Sequence, residues 1–232
     1  HALKRERPRR DKHGAMVALA RMMDIERCAN RYFLGCVPLV RDEQGRTALS
    51  AAAGGRRAAS VSLRKGGSLL LRWLADDPHL APFLGIASKE NGFDVEGIAA
   101  KPDRVWIGLR GPVLRGHAVV LELQFRHTRR GHLKPLRIDG RQRYRKHVFD
   151  SAGLGVRELC FDGNDLPVLV GTPLASDGPA RVLRWRDAAQ HTTSGVIDPD
   201  RLAAVVELPH RGEVDHPEGM ALWPDSPGGP NG

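Results

Sequence analysis

The sequence predicts an all-β protein built as a partial β-propeller, with about three four-stranded antiparallel blades plus an N-terminal part, and with one or two short helical insertions. Three observations predict it. The first is a meander: residues 95–100 form a short strand, Lys101-Pro102-Asp103-Arg104 supplies turn chemistry, residues 105–109 form a second strand rich in β-branched and aromatic side chains, and residues 118–125 form a third. The second is repetition. Glu96-Gly-Ile-Ala-Ala-Lys-Pro-Asp103 returns 122 residues later as Glu218-Gly-Met-Ala-Leu-Trp-Pro-Asp225, and half that spacing, 61 residues, puts Val95 on Val156, Ile98 on Leu159, Ile107 on Val168 and Leu109 on Val170. The third is composition: 26 Gly and 16 Pro suit many strands joined by tight turns rather than a helical bundle.

Units of about 60 residues follow from residue 81 onward. The first is read as residues 82–87, 95–100, 105–109 and 118–125, the second as 146–149, 156–161, 166–170 and 180–185, and a third begins with 203–208 and 220–223. A four-stranded meander cannot bury both faces alone. Stacking on neighbours does so, and accounts for inner strands such as Val105-Trp106-Ile107 that are apolar without interruption. A β-sandwich of irregular strands is the alternative architecture.

The part before these units divides off at residue 67, giving residues 1–67 as a basic arm, helix and connection, and 68–232 as the repeated meander. Residues 1–15 are polar and aperiodic, 16–32 show a partial helical period, 32–40 alternate as a strand, and 41–46 form a turn. Residues 51–67, dominated by Ala, Gly, Ser and Arg, read as a weak or mobile connection. Ser68 then caps a short helix with apolar residues at helical spacing and a stop at Pro78. The first residue is His1, and the last unit stops after one strand and a Pro/Gly-rich tail, so the chain reads as a fragment.

With 232 residues, 41% of them hydrophobic, the chain can bury a sizeable core, and no apolar run approaches the roughly 18 residues that a membrane span needs. Three cysteines without metal-ligand spacing argue against a disulfide framework, and point to a reducing, cytoplasmic setting. The net charge of +9 raises a polyanion or nucleic acid as partner, through counterion release. The excess sits in tails and loops, chiefly at residues 126–146. With only Tyr144 interleaved there, stacking on single strands would be weak.

The phrases Ser88-Lys-Glu-Asn-Gly-Phe-Asp-Val-Glu-Gly-Ile98, Gly108-Leu-Arg-Gly-Pro-Val-Leu-Arg-Gly116, Arg145-Lys-His147 and Asp215-His-Pro-Glu-Gly-Met220 resemble the bacterial family of unknown function DUF3616, over nearly the whole chain. That family implies no activity. The Glu-Gly phrases are also similar, over a shorter stretch, to phytase-like and lactonase-like propellers, whose acidic residues at the channel end of inner strands hold calcium. This second likeness implies a ligand or cation site at a channel mouth and, beyond it, a hydrolase of that kind. A non-enzymatic interaction scaffold is the alternative.

Glu96 and Glu218, at equivalent positions of the repeat, would project at one height near such a channel and form a calcium site, with Asn91 and other oxygens completing it. The structural alternative is that each glutamate pairs with arginine. Arg110 and Arg115, with Lys89, Arg157 and His216, would form a basic rim for an anionic small molecule, or else seal the blades by pairing with Glu96, Glu158 and Glu218. The 61-residue offset sets Arg157 where Glu96 stands. No Gly-x-Ser-x-Gly elbow, zinc spacing or phosphate loop opening a helix is present in the sequence.

Overall fold

The computed structural model describes residues 3–6, 19–28, 33–62, 68–138, 140, 142–210 and 217–223. Two sheets stacked face to face form its centre, both antiparallel except for one short parallel edge strand in the first. The first holds β1 (Asp94–Ala100), β2 (Arg104–Leu114), β3 (His117–His127) and β5 (Arg145–Asp150) in the order β5-β3-β2-β1, with β4 (Leu133–Pro135) added to the far end of β3 and β9 (Gly195–Val196) to the edge of β5. The second holds β6 (Gly155–Leu159), β7 (Leu166–Gly171), β8 (Ala180–Trp185) and β10 (Leu202–Leu208) in that order. Both are plain meanders. The all-β expectation stands, and neither sheet closes on itself.

The 61-residue repeat is real in the register. Ile107 pairs with Ile98 as Val168 pairs with Leu159, and Leu109 pairs with Val95 as Val170 pairs with Val156. Strand membership differs from expectation by one place. Residues 82–87 are not an outer strand: Ala81–Phe83 is a 3-10 turn, and the fourth strand of the first sheet is β5, expected to open the next unit. In the same way β10 completes the second sheet rather than beginning a third. The reason is a corner. Ser151 donates from both its backbone N–H and its hydroxyl to the Gly116 carbonyl at the tip of the β2–β3 hairpin, which turns the chain out of the first sheet after Asp150 and carries β6 across β2. Residues 220–223, expected as a third inner strand, form no strand, and Trp223 is 88% exposed.

Strand β2 is also longer than expected, running through Arg110 and Pro112 to a two-residue turn at Arg115 and Gly116, both with positive φ (47° and 89°), the geometry that matches the twist of a hairpin. Between the sheets lie Trp106, Ala118, Val120 and Phe149 from the first and Val156, Val168, Val170, Leu183 and Trp185 from the second. The opposite face of the first sheet, with Ile107, Leu109, Val119, Leu121 and Leu123, is covered by the preceding segment through Leu74, Leu80 and Ala59. Alternation on β3 therefore fills two cores, which is why the strand reads as an unbroken apolar run.

The covering segment contains the helix α1 (Leu69–Leu74), with Ser68 Oγ accepting from the Leu71 N–H at 3.2 Å and Leu74 fully buried. The expected helix over 16–32 is corrected where it is described. Leu19–Arg21 is helical, but Ile25–Arg27 is a strand antiparallel to Leu3–Arg5, so the available partner strand overrides a partial helical period; residues 16–18 and 29–32 lie outside the described residues. The 32–40 strand is two short pieces, Gly35–Cys36 and Leu39–Arg41, separated at Pro38, which lacks a ladder donor. The weak or mobile connection expected over 51–67 has structure where it is described, residues 63–67 lying outside the described residues. Ala52–Ala53 pairs with Arg56–Arg57, and Ala59–Ser60 with Gly35–Cys36.

Candidate functional site

At the edge where β6 crosses β1 and β2, the ladders break at equivalent places. In the first sheet Gly108 faces Gly97 and Leu109 faces Val95, leaving Glu96 as a bulge; in the second Val170 faces Val156 and Leu169 faces Glu158, leaving Arg157 as one. Arg110 is a further bulged residue, on β2 between the Leu109–Val95 and Gly111–Asp94 pairs. A bulge re-aims its side chain out of the pleat, and here three re-aimed side chains meet. Arg110 Nη1 donates to Glu96 Oε1 at 3.0 Å and Arg157 Nη1 donates to Glu96 Oε2 at 2.6 Å, so one carboxylate is held between two guanidiniums from different sheets. Arg110 Nη2 also donates to the Leu174 carbonyl at 2.7 Å, and its Nη1 stands 3.9 Å from Asp94 Oδ2.

The cluster is nearly dry. Arg110 and Arg157 are 3% and 5% exposed, and the Nε atoms of both have no hydrogen-bond partner among the described residues. Burial pushes the Asp94 carboxyl above its ordinary value, against the pull of Arg110 and Arg157. Beside this cluster a cleft of about 270 Å³ opens between α1 and the first sheet. Asp94 and Glu96 form its polar end, and Phe33, Leu70, Trp73 and Phe125 are among its apolar walls.

The structure thus brings Glu96, Arg110 and Arg157 together. Asn91 lies in the turn before β1 with φ 64°, and clamps β2: its Oδ1 accepts from the Val113 N–H at 2.8 Å and its Nδ2 donates to the Val113 carbonyl at 3.3 Å. Lys89 is exposed in the same turn, and Arg115 is exposed at the hairpin tip; neither takes part in the bonds to Glu96. Glu218 is exposed on the stretch that forms no strand, and His216 lies outside the described residues. Glu158 bonds backbone rather than arginine, accepting from the N–H groups of Ile98 and Leu159. Among the described residues no group of three or more His, Cys, Asp or Glu side chains is placed to hold a metal ion.

The family model described as a protein of unknown function, DUF3616, matches residues 1–231. The chain belongs to the DUF3616 family. Neither the curated proteins nor the solved structures give a match to this DUF3616 chain. No helix among its described residues is long and apolar enough to cross a membrane.

A second buried cluster in the DUF3616 chain escaped the sequence reading. Glu122, fully buried on β3, accepts from Arg104 Nη1 at 2.9 Å and Arg145 Nη1 at 3.0 Å, and its other oxygen lies 3.1 Å from His147 Nε2. Burial alone would raise the Glu122 carboxyl, but His147, Arg104 and Arg145 outweigh it and hold it below the ordinary value. His147, Trp185 and His191 pack edge to face with centroids 4.9–5.6 Å apart, and burial with the nearby His147 lowers the His191 imidazole. The signal was present. A glutamate inside the apolar run of residues 118–125 has to be paired if that run is buried.

Proposed function

We propose that the two sheets are consecutive blades of a β-propeller and that the protein is a ligand-binding scaffold whose site is the cleft ending at Asp94 and Glu96. The observation that carries this reading is the equivalence of the bulges: the same position of each unit's first strand supplies Glu96 and Arg157, and the two bond across the stacked sheets. Radial stacking of repeated meanders with their first strands toward one end is what a propeller requires. The cleft beside that end has the make-up of a small-molecule site, mostly apolar with a few convergent polar groups.

Asp94 and Glu96 give the polar end an acidic character although both are already bonded within the protein, while Arg110 and Arg157 are engaged by Glu96 and do not line the cleft. The ligand class that fits is therefore a small, mainly apolar molecule with an amine or hydroxyl head at this acidic end, rather than an anion. Calcium at Glu96 would have to displace two guanidiniums from its oxygens. The basic stretch 126–146 is a weaker candidate for a polyanion, since Arg145 is bonded to the buried Glu122 and Lys146 to Asp77.

Thermal denaturation with a panel of amphipathic amines and alcohols, phosphate esters, lactones and calcium tests this reading, because a ligand that binds only the native state raises the melting temperature. The expected result is stabilisation by an amine or alcohol that disappears in Leu70→Trp, which fills the cleft. Stabilisation by calcium or phosphate esters alone would reject the cleft as the site.

A further inference from the structure

On the other side of Trp73 from this cleft lies a second, open cleft of about 390 Å³, formed where the end of α1 meets the start of β5 and the loop before β9. Trp73 lines both. The second differs from the first in having a polar floor. The Asp77 carboxylate, 7% exposed, accepts from the N–H groups of His79 and Leu80, from Tyr144 Oη at 2.5 Å, and from Lys146 Nζ at 2.7 and 2.8 Å. Lys146 Nζ also lies 2.9 Å from His79 Nδ1. Burial and the Asp77 charge raise the Tyr144 phenol, so it stays protonated and the network stays fixed across the neutral range.

Around this floor the rim is mixed. Asp76, Gln142, Arg143 and Ser194 are exposed; Ser194 Oγ donates to Gln142 Oε1 at 3.3 Å and accepts from the Lys146 N–H at 3.2 Å, the second bond tying the loop to β5. Trp73 and Pro78 supply the apolar part of the lining. The charges balance: Asp76 and Asp77 against Arg143 and Lys146. An anion or a cation therefore gains little, whereas a neutral molecule with an apolar ring face and several hydroxyls finds an indole and a pyrrolidine to lie on, and both donors and acceptors to bond.

We propose that this cleft is a saccharide-binding site, with Trp73 and Pro78 as the platform, and with Asp76, Gln142, Arg143 and Ser194 as hydroxyl partners. The Asp77–Tyr144–Lys146 network is the positioning element that fixes β5 against α1 and sets the width of the cleft. The site differs from the cleft at Asp94 and Glu96, with which it shares Trp73.

The test is a glycan array of neutral and charged oligosaccharides with the whole chain, followed by titration of any hit while tryptophan fluorescence is read in the parent and in Trp73→Phe, which keeps only Trp106, Trp185 and Trp223. The expected result is binding to a neutral glycan that is insensitive to salt, weakened at least tenfold in the double variant Gln142→Ala/Arg143→Ala. Both of those residues are exposed, so the variant should melt at the parent temperature; Trp73→Phe, which keeps an aromatic platform, should retain part of the affinity. Absence of binding to every glycan overturns the proposal, as does binding unchanged in the double variant. Binding confined to sulfated glycans and abolished by about 0.3 M salt also overturns it, because it would mark a charge-driven surface.

Discussion

Glu122 sits on the central strand of the first sheet with no contact to solvent, and two arginines and a histidine converge on it. Removing one partner of a buried ionic cluster leaves the others uncompensated, which costs far more than the net contribution of the cluster. Glu122→Gln should destabilise the fold by about 3–5 kcal/mol, read as a lower denaturant midpoint with an unchanged slope. The same cluster makes the protein acid-sensitive in two windows. Burial first, and then the neighbouring His147, Arg201 and Arg145, outweigh Glu122 and hold the folded pKa of His191 below its ordinary 6.5, so the unfolded chain binds the proton more readily and stability falls as pH drops below 6.5 toward the lower folded value. Glu122 is likewise depressed from 4.5, so its contribution is whole above 4.5 and is lost as pH falls through its folded value. Urea midpoints between about pH 7.5 and about pH 5 should decline for the parent chain and decline less for His191→Gln, since the substitution removes the imidazole whose folded value is held below its unfolded one. An equal decline in both would remove His191 as the cause.

At the level of elements, the corner between the sheets rests on the close crossing of β6 over β2. A Cβ built on Gly155 would lie 1.9 Å from the Arg110 carbonyl oxygen, so a side chain there pushes backbone against backbone. Gly155→Ala should cost about 3 kcal/mol or more, while Gly163→Ala, at φ 56° with nothing within 4 Å, should cost about 1 kcal/mol of backbone strain alone. Thermal denaturation of the two variants side by side checks the difference. If both fell by the same small amount, the sheets would not cross where β6 passes Arg110. What the sequence revealed of these elements follows from what periodicity carries. The β-branched and aromatic runs around Val95 to Ile98 and Val105 to Leu109, bounded by turn residues, locate strands and, with their copies 61 residues on, the repeated unit, and Ser68 with its apolar run located α1. Pairing partners were not legible. Residues 145–150 alternate equally well whether they close one sheet or open the next, and only the Ser151 bonds to Gly116 decide. The bulges were hidden as well, since a residue left out of the ladder looks in sequence like any other strand residue. The pairing of Glu96 with Arg110 and Arg157 was legible only as one of two alternatives. The buried Glu122 cluster was missed because its partners, residues 104, 145 and 147, come from the two strands on either side of it, far from it in the sequence.

In the molecule as a whole, two repeated meanders stack and are joined at one end by their own bulged residues, so that the repeat makes both the fold and the polar end of the cleft. A single carboxylate shared by arginines from both sheets couples the units more directly than the apolar core, which many residues share. The measurement that tests this most directly is the coupling energy between Glu96 and Arg157, from a double-mutant cycle with Glu96→Gln and Arg157→Gln followed by denaturant unfolding. Because Arg110 is present in all four proteins, its own bond to Glu96 cancels to first order. Stacked units bridged at 2.6 Å in a nearly dry site predict a coupling of about 1.5 kcal/mol or more. A coupling below about 0.5 kcal/mol, the scatter expected for sites that do not touch, would contradict the account.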